Sequence, residues 1–253
     1  MSIPLSIPNA AASSADFEFA ALNEARNYRR ALRHSFTPVL RGRVLEIGAG
    51  VGQMTREFLS LSTVSHLVAV EPEAEFVEQL VAFRPADSVV HGTAADVCPP
   101  TGWDGIISIN VLEHIEDDAG ELVRYFQLLA ERNGCLGLFV PARPEIYSPL
   151  DRDFGHFRRY TAKELRDKLV SAGFTVERLH YYNSLGYFAW WLSFCLLRRR
   201  KFSAASVRFY DRVLFPCVYW IESRLCSPPF GQSLLVIARA TARIPVMRTA
   251  EGR

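Results

Sequence analysis

Five cysteines stand in 253 residues, at positions 98, 135, 195, 217 and 226, and no two of them form a C-x-x-C pair. That scatter argues against a zinc ribbon and against a disulfide framework, so no metal site is expected. Long hydrophobic runs are missing as well. The longest, at 185–197, covers about thirteen residues, short of the roughly 20 that a membrane-spanning helix needs. The opening Met1-Ser2-Ile3-Pro4 has neither the basic segment nor the apolar core of an export signal, so a reducing cytoplasm is the expected compartment. Charge of one sign is lacking too: 29 basic and 27 acidic residues leave a net of +2. That balance says little about partners. No nucleic acid is expected, because the basic residues are few and the basic segment is interleaved with bulky aliphatic residues rather than spread on an open groove. A content of 49% hydrophobic and 22% charged residues excludes disorder. The length fits one α/β domain with an insertion.

The dinucleotide fingerprint G-x-G-x-x-G is absent, although the chain comes close to it. Val44-Leu45-Glu46-Ile47-Gly48-Ala49-Gly50-Val51-Gly52 is an apolar run ending in three alternate glycines, and Gln53 occupies the fingerprint's last position. Residues 54–59 then read as the start of a helix. A strand that ends in glycines and turns straight into a helix brings bare backbone and helix N–H groups close to a ligand. Glu46, two residues before the first glycine, suits a ligand carrying an ammonium better than a pyrophosphate. A second apolar strand, 67–71, ends in Glu71. A carboxylate at that tip can accept from both hydroxyls of a ribose. A short third strand, 88–92, leads into Gly92-Thr93-Ala94-Ala95-Asp96-Val97. The fourth, 103–110, runs Trp-Asp-Gly-Ile-Ile-Ser-Ile-Asn and continues as Val111-Leu112-Glu113-His114.

Together these segments resemble class I S-adenosylmethionine-dependent methyltransferases, in particular the bacterial small-molecule and lipid group of type 11/12. The resemblance implies an enzyme with S-adenosyl-L-methionine as cofactor. It implies a doubly wound, Rossmann-like α/β sheet of seven strands whose last strand is antiparallel and lies between the fifth and sixth. Glu46, Gly48, Gly50 and Gly52 would then form the first cofactor motif, Glu71 would hold the ribose and Asp96 the adenine amine. Asn110, Val111 and Leu112 would pass the methionine part. Tyr28, in the helix before the sheet, would help close the pocket. His114 is a candidate base, although a histidine there is usually structural in this branch of the family.

The chain divides into an N-terminal tail and helix (1–39), the core (40–182), a helical hydrophobic insertion (183–231), the final core strand (232–240) and a tail (241–253). Apolar spacing predicts a helix over 16–36 with Asp16 as its cap. Further helices are expected at 73–83 and 119–131, and from Thr161 to Gly173. Strands are expected at 135–140, 175–182 and 233–239. The connection 141–161 is long for its place, over the carboxyl edge of the sheet where ligands sit. Its Gly155-His156-Phe157-Arg158-Arg159-Tyr160-Thr161 resembles a signature of a bacterial methyltransferase group. His156 is the preferred candidate for proton removal. Arg158, Arg159 and Tyr160 are the candidate substrate contacts, because arginines grip carboxylate or phosphate with two prongs.

The insertion carries Trp190-Trp191 beside Arg198-Arg199-Arg200-Lys201, and residues 183–232 hold seven basic and two acidic side chains. Two helices are expected there, the second kinked at Pro216. Tryptophans next to cations suit an interface with anionic headgroups. A lid or a dimer interface fits the same pattern. The expected reaction is methyl transfer to an oxygen, hydroxyl or carboxylate, of a small or lipid-linked hydrophobic acceptor. The expected location is the cytoplasm, with peripheral contact at the inner face of the membrane and no nucleic-acid partner. N- or C-methylation, and a non-catalytic cofactor-binding membrane protein, stay open, as does the oligomeric state.

Overall fold

The computed structural model describes residues 23–85, 88–97, 102–199, 203–224 and 227–241. Asp16, Arg200 and Lys201 lie outside the described residues. Seven strands form one sheet: β1 (Gly42–Ile47), β2 (Val64–Glu71), β3 (Val89–His91), β4 (Gly105–Ile109), β5 (Cys135–Pro141), β6 (Thr175–Tyr182) and β7 (Ser233–Arg239). Their order is β3-β2-β1-β4-β5-β7-β6. The pairs β1–β2, β1–β4, β2–β3 and β4–β5 are parallel, whereas β7 runs antiparallel to both β5 and β6.

Burial follows from this order. β5 is buried along its whole length and β7 along all but its last residue, which is why both read as unbroken apolar runs rather than as alternations. Successive side chains of β7 enter opposite cores. Leu234, Val236 and Ala238 join a cluster with Tyr125, Leu129, Leu165 and Leu169. Leu235 and Ile237 join Leu32, Phe36, Met54 and Phe58 on the other face. The first cluster is built on α4 (Asp118–Ala130) and α6 (Ala162–Ser171), the second on α1 (Arg26–Ser35) and α2 (Gln53–Leu59). The remaining core helix, α3 (Ala74–Val81), covers the β2–β3 end through Leu80.

The connection after β5 is more regular than its composition suggests. It contains a 3₁₀ turn, Pro144–Ile146, and a short helix, α5 (Pro149–Asp153). Ser148 and Asp151 close a capping box around α5, with a proline at its start. The insertion forms two helical rods. One is α7 (Ser184–Trp190), which continues as a π-helix over Trp191–Leu196. The other joins α8 (Ala204–Phe209), a π segment Tyr210–Leu214, and α9 (Phe215–Arg224). The widened turn before Pro216 accommodates a residue that has no N–H to give, so the expected kink takes the form of a π segment. No helix of the described residues is long and apolar enough to cross a membrane.

Candidate active site

The glycine loop joins β1 to α2 at the carboxyl edge of the sheet. Gly48 has φ +71°, and a Cβ there would stand 2.3 Å from Val111 Cγ2. Only glycine lets the loop pass the end of β4 so closely. Gly52, at φ +78°, opens α2, and a Cβ there would meet Phe83 Cζ at 2.4 Å. The N–H of Gly50 donates to Glu71 Oε2 at 2.7 Å, and that of Glu73 to Glu71 Oε1 at 3.0 Å. Glu71 is thereby fixed between the first and second strand ends. Burial raises its pKa, and the two N–H donors oppose the rise. Glu46 is 4% exposed and its Oε2 is buried without a hydrogen-bond partner. Burial pushes its carboxyl up to about 8; Thr55 lowers it and the nearby Glu71 adds to the rise. Asp96 is exposed and accepts from the N–H and hydroxyl of Thr93 at 2.8 and 3.0 Å. Those bonds hold its carboxyl below the ordinary range.

Between the sheet and the insertion lies a cavity of about 670 Å³, whose lining includes none of Gly48, Gly50, Gly52, Glu71 and Asp96. Tyr28, Asn110, His156 and Arg159 line it, with Trp190, Phe194 and Tyr210 of the insertion forming much of the roof. Asn110 has φ +52°, and its N–H donates to the Phe139 carbonyl at 2.8 Å. This bend carries Val111 across the glycine loop and Leu112 into the core. The Tyr28 ring packs against Phe139, Tyr182 and Phe215, and burial raises its pKa.

From 158 to 160 neighbouring side chains point in opposite directions. Arg159 turns to the cavity. Its Nε donates to Asp151 Oδ1 at 2.7 Å, its Nη1 to the Ala142 carbonyl at 3.1 Å, and its guanidinium lies 4.5 Å from the Trp190 ring centre. Arg158 and Tyr160 turn away. Arg158 pairs with Asp118 at 2.8 Å, and the Tyr160 hydroxyl donates to Asp118 Oδ2 at 2.9 Å and to the Leu112 carbonyl at 3.2 Å. Asp118, which also takes Lys168 Nζ at 2.7 Å, opens α4. The structure thus brings His156 and Arg159 together at the cavity, and puts Arg158 and Tyr160 in a network that anchors α4.

A family model described as a methyltransferase domain matches residues 19–179. The chain belongs to that methyltransferase family. Its fold is shared with solved structures of low sequence identity. A Haloferax volcanii methyltransferase, solved with the Trm112 methyltransferase activator, is 15% identical with a TM-score of 0.59, over 93% of this chain and 100% of that one. An S-adenosylmethionine-dependent methyltransferase from Mesorhizobium loti is 17% identical with a TM-score of 0.54, over 83% and 95%. The cyclopropane synthase MmaA2 from Mycobacterium tuberculosis is 15% identical with a TM-score of 0.52, over 82% of each chain. No curated protein sequence matches the chain. The protein is a class I methyltransferase and uses S-adenosylmethionine. The glycine loop, its close approach to Val111 and the buried acid Glu46 fit that cofactor.

Two residues of this methyltransferase escape sequence reasoning. Asp151 is fully buried and accepts from Ser148 N–H and Oγ, both at 2.8 Å, from Arg159, and from His156 Nδ1 at 3.2 Å. It therefore orients His156 and Arg159, two of the polar side chains that line the cavity, and its neighbours hold its carboxyl below the ordinary range. Asp211, in the insertion, is 2% exposed and caps α1 from 184 residues away. Its carboxylate accepts the N–H of Asn27 at 3.1 Å and of Tyr28 at 2.9 Å. Ser148-Pro149-Leu150-Asp151 carries a capping-box signal that could have revealed Asp151. Nothing local marks Asp211.

Proposed function

We propose that the enzyme moves the methyl group to an oxygen of a hydrophobic acceptor, small or lipid-linked, held in the cavity under the insertion. The observation that supports this most is the lining itself: aromatic and aliphatic walls from the insertion, with His156 and Arg159 among its polar groups beside Asn110, Asn183, Asp211 and Gln232. The cofactor supplies a methyl group on a sulfonium, already activated for in-line displacement. The chain's task is to align the acceptor and exclude water. Glu46, Gly48, Gly50, Gly52, Glu71, Asp96, Asn110, Val111 and Leu112 hold the cofactor in this reading, and Tyr28 closes the shared wall. Asp151 keeps the proton on His156 Nδ1, and Nε2, which rests 3.9 Å from Glu113 Oε1, would have to turn to the cavity to accept a proton from the acceptor hydroxyl. Arg159 places positive charge at the same wall.

The site of action follows from the outside of the insertion. Phe188, Trp191, Leu192, Leu196, Leu197, Phe209, Val213 and Trp220 are exposed there, and Arg198 and Arg199 are exposed beside them. Apolar side chains flanked by cations match the boundary between acyl chains and anionic headgroups. In this reading the enzyme works at the inner membrane surface, with the cavity roof toward the lipid.

Incubation with labelled S-adenosylmethionine and hydroxylated isoprenoid or acyl acceptors, followed by mass spectrometry, tests the reaction. A product gaining one methyl group on oxygen is expected. His156→Ala is expected to lower turnover by about 10²–10⁴-fold without changing cofactor affinity. A product methylated only on nitrogen or carbon overturns the acceptor assignment.

A further inference from the structure

Three potential metal ligands from two segments meet beside the acceptor cavity, and of the three only His156 lines it. Glu113 and His114 belong to the 3₁₀ turn Leu112–His114 that follows β4, and His156 follows α5. The two imidazole rings stand edge to face with centres 4.6 Å apart. His156 Nε2 lies 3.9 Å from Glu113 Oε1, and one donor atom from each of the three residues falls within 4.8 Å of the others. Glu113 is fully buried and His156 is 8% exposed. The second nitrogen of His156, Nδ1, faces the Asp151 carboxylate at 3.2 Å. A proton held at Nδ1 leaves the Nε2 lone pair directed toward Glu113. Histidine ligands of metals are oriented in this way, by a carboxylate on the far nitrogen.

We infer that Glu113, His114 and His156 form a binding site for one divalent first-row transition metal, of which Zn²⁺ is the representative. One carboxylate and two imidazoles suit Zn²⁺, Fe²⁺ or Co²⁺, whereas Mg²⁺ and Ca²⁺ prefer oxygen sets. Ligand atoms sit about 2.0–2.2 Å from zinc, so the three side chains must draw together on loading. Gly155 leaves room for that: a Cβ there would meet only His114 Nδ1, at 3.8 Å. Three protein ligands leave a fourth position open. Of the three ligands only His156 lines the cavity, so an acceptor would have to reach that position past its ring. There a metal would bind the acceptor oxygen and lower its pKa, and His156 would act as ligand instead of proton acceptor. This last step rests on the oxygen-acceptor reading; the metal site does not.

The test uses the untagged full-length protein, stripped by a chelator and dialysed. Zn²⁺ is titrated by calorimetry and Co²⁺ by visible absorption. One equivalent per chain is expected, with cobalt d–d bands that Zn²⁺ abolishes. His114→Ala is expected to weaken Zn²⁺ binding by about 100-fold or more, and Asp151→Asn by about 10–100-fold. Thermal melting checks that each variant is folded; His114→Gln replaces the alanine variant if that one is not. Absence of stoichiometric Zn²⁺ and Co²⁺ binding by the wild type overturns the site, as does unchanged affinity in a folded His114 variant. A wild type that binds Zn²⁺ but methylates nitrogen or carbon keeps the site and overturns only the oxygen-acceptor reading.

Discussion

Binding of S-adenosylmethionine at pH 7 is expected to expel a proton from Glu46. In the empty protein this side chain is 4% exposed, its Oε2 lacks a hydrogen-bond partner, and burial holds its carboxyl at about 8. At pH 7 such a group is about 90% protonated. The ammonium of the cofactor's amino-acid end favours the ionised form when it comes within reach. Binding should therefore release up to about 0.9 proton per chain at pH 7, falling toward zero above pH 9, where Glu46 is already ionised. Calorimetry in phosphate and in Tris, whose ionisation enthalpies differ, reads the released proton as the slope of apparent enthalpy. Glu46→Gln is expected to abolish the slope and to weaken binding by about 1.5–3 kcal/mol. A wild-type enthalpy independent of buffer at pH 7 refutes the assignment of Glu46 to the ammonium. The same shift acts on stability. The folded pKa is raised above the unfolded value of 4.5, so the neutral form's contribution is complete below pH 4.5 and is lost as pH rises through 8. By pH 7 the loss is about 3 kcal/mol. The stability gap between Glu46→Gln and wild type should open above pH 4.5 and level off beyond 8.

Other perturbations separate the parts of the site. Glu71→Ala is expected to weaken cofactor binding by about 1.5–3 kcal/mol, read by calorimetry; unchanged affinity removes Glu71 from the ribose. Asp151→Ala leaves Arg159 buried without its partner, and denaturant unfolding should show a loss of about 3–5 kcal/mol. Asp211→Ala removes the cap on α1 and should cost about 0.5–2 kcal/mol; amide hydrogen exchange should quicken at Asn27 and Tyr28 before it does in the sheet. Wild-type protein should float with anionic vesicles at low salt, with binding falling as salt rises. The variant with Arg198, Arg199, Arg200 and Lys201 changed to Gln should remain at the bottom of the gradient, and flotation of neither protein would make the insertion a lid or interface only.

Much of the sheet was legible because the first four strands run into a glycine, an acid or an asparagine, at Gly48, Glu71, Gly92 and Asn110. The boundaries 175–182 and 233–239 coincide with β6 and β7, and the position of β7 between β5 and β6 came from the family resemblance. The glycine loop was legible for a steric reason: positive φ at Gly48 and Gly52 excludes other residues. The acceptor side was read less well. The run Arg158-Arg159-Tyr160 looked like one contact surface, but its members turn to opposite sides, and Asp118 claims two of the three. Asp118 sits 40 residues before that run, at a helix start whose sequence announces only a cap. Long-range partners of this kind carry no periodic signal. The π segments were hidden for a related reason, since apolar spacing distinguishes helix from strand but not a four-residue from a five-residue hydrogen-bond step.

The insertion leaves the sheet after Tyr182 and returns at Ser233, and these two residues are paired neighbours on adjacent strands. Fifty residues of roof are therefore hinged on a single rung of the ladder. A segment whose two ends already touch can be exchanged for another of different length without stretching or re-registering the strands that bear it. In the proposed reading the cofactor is held on β1, β2 and β4, two to four strands from β7. Acceptor choice in this architecture resembles a tool bit held in a chuck: a different insertion on the same sheet would redirect the methyl group to a different molecule while the cofactor grip stayed as it is.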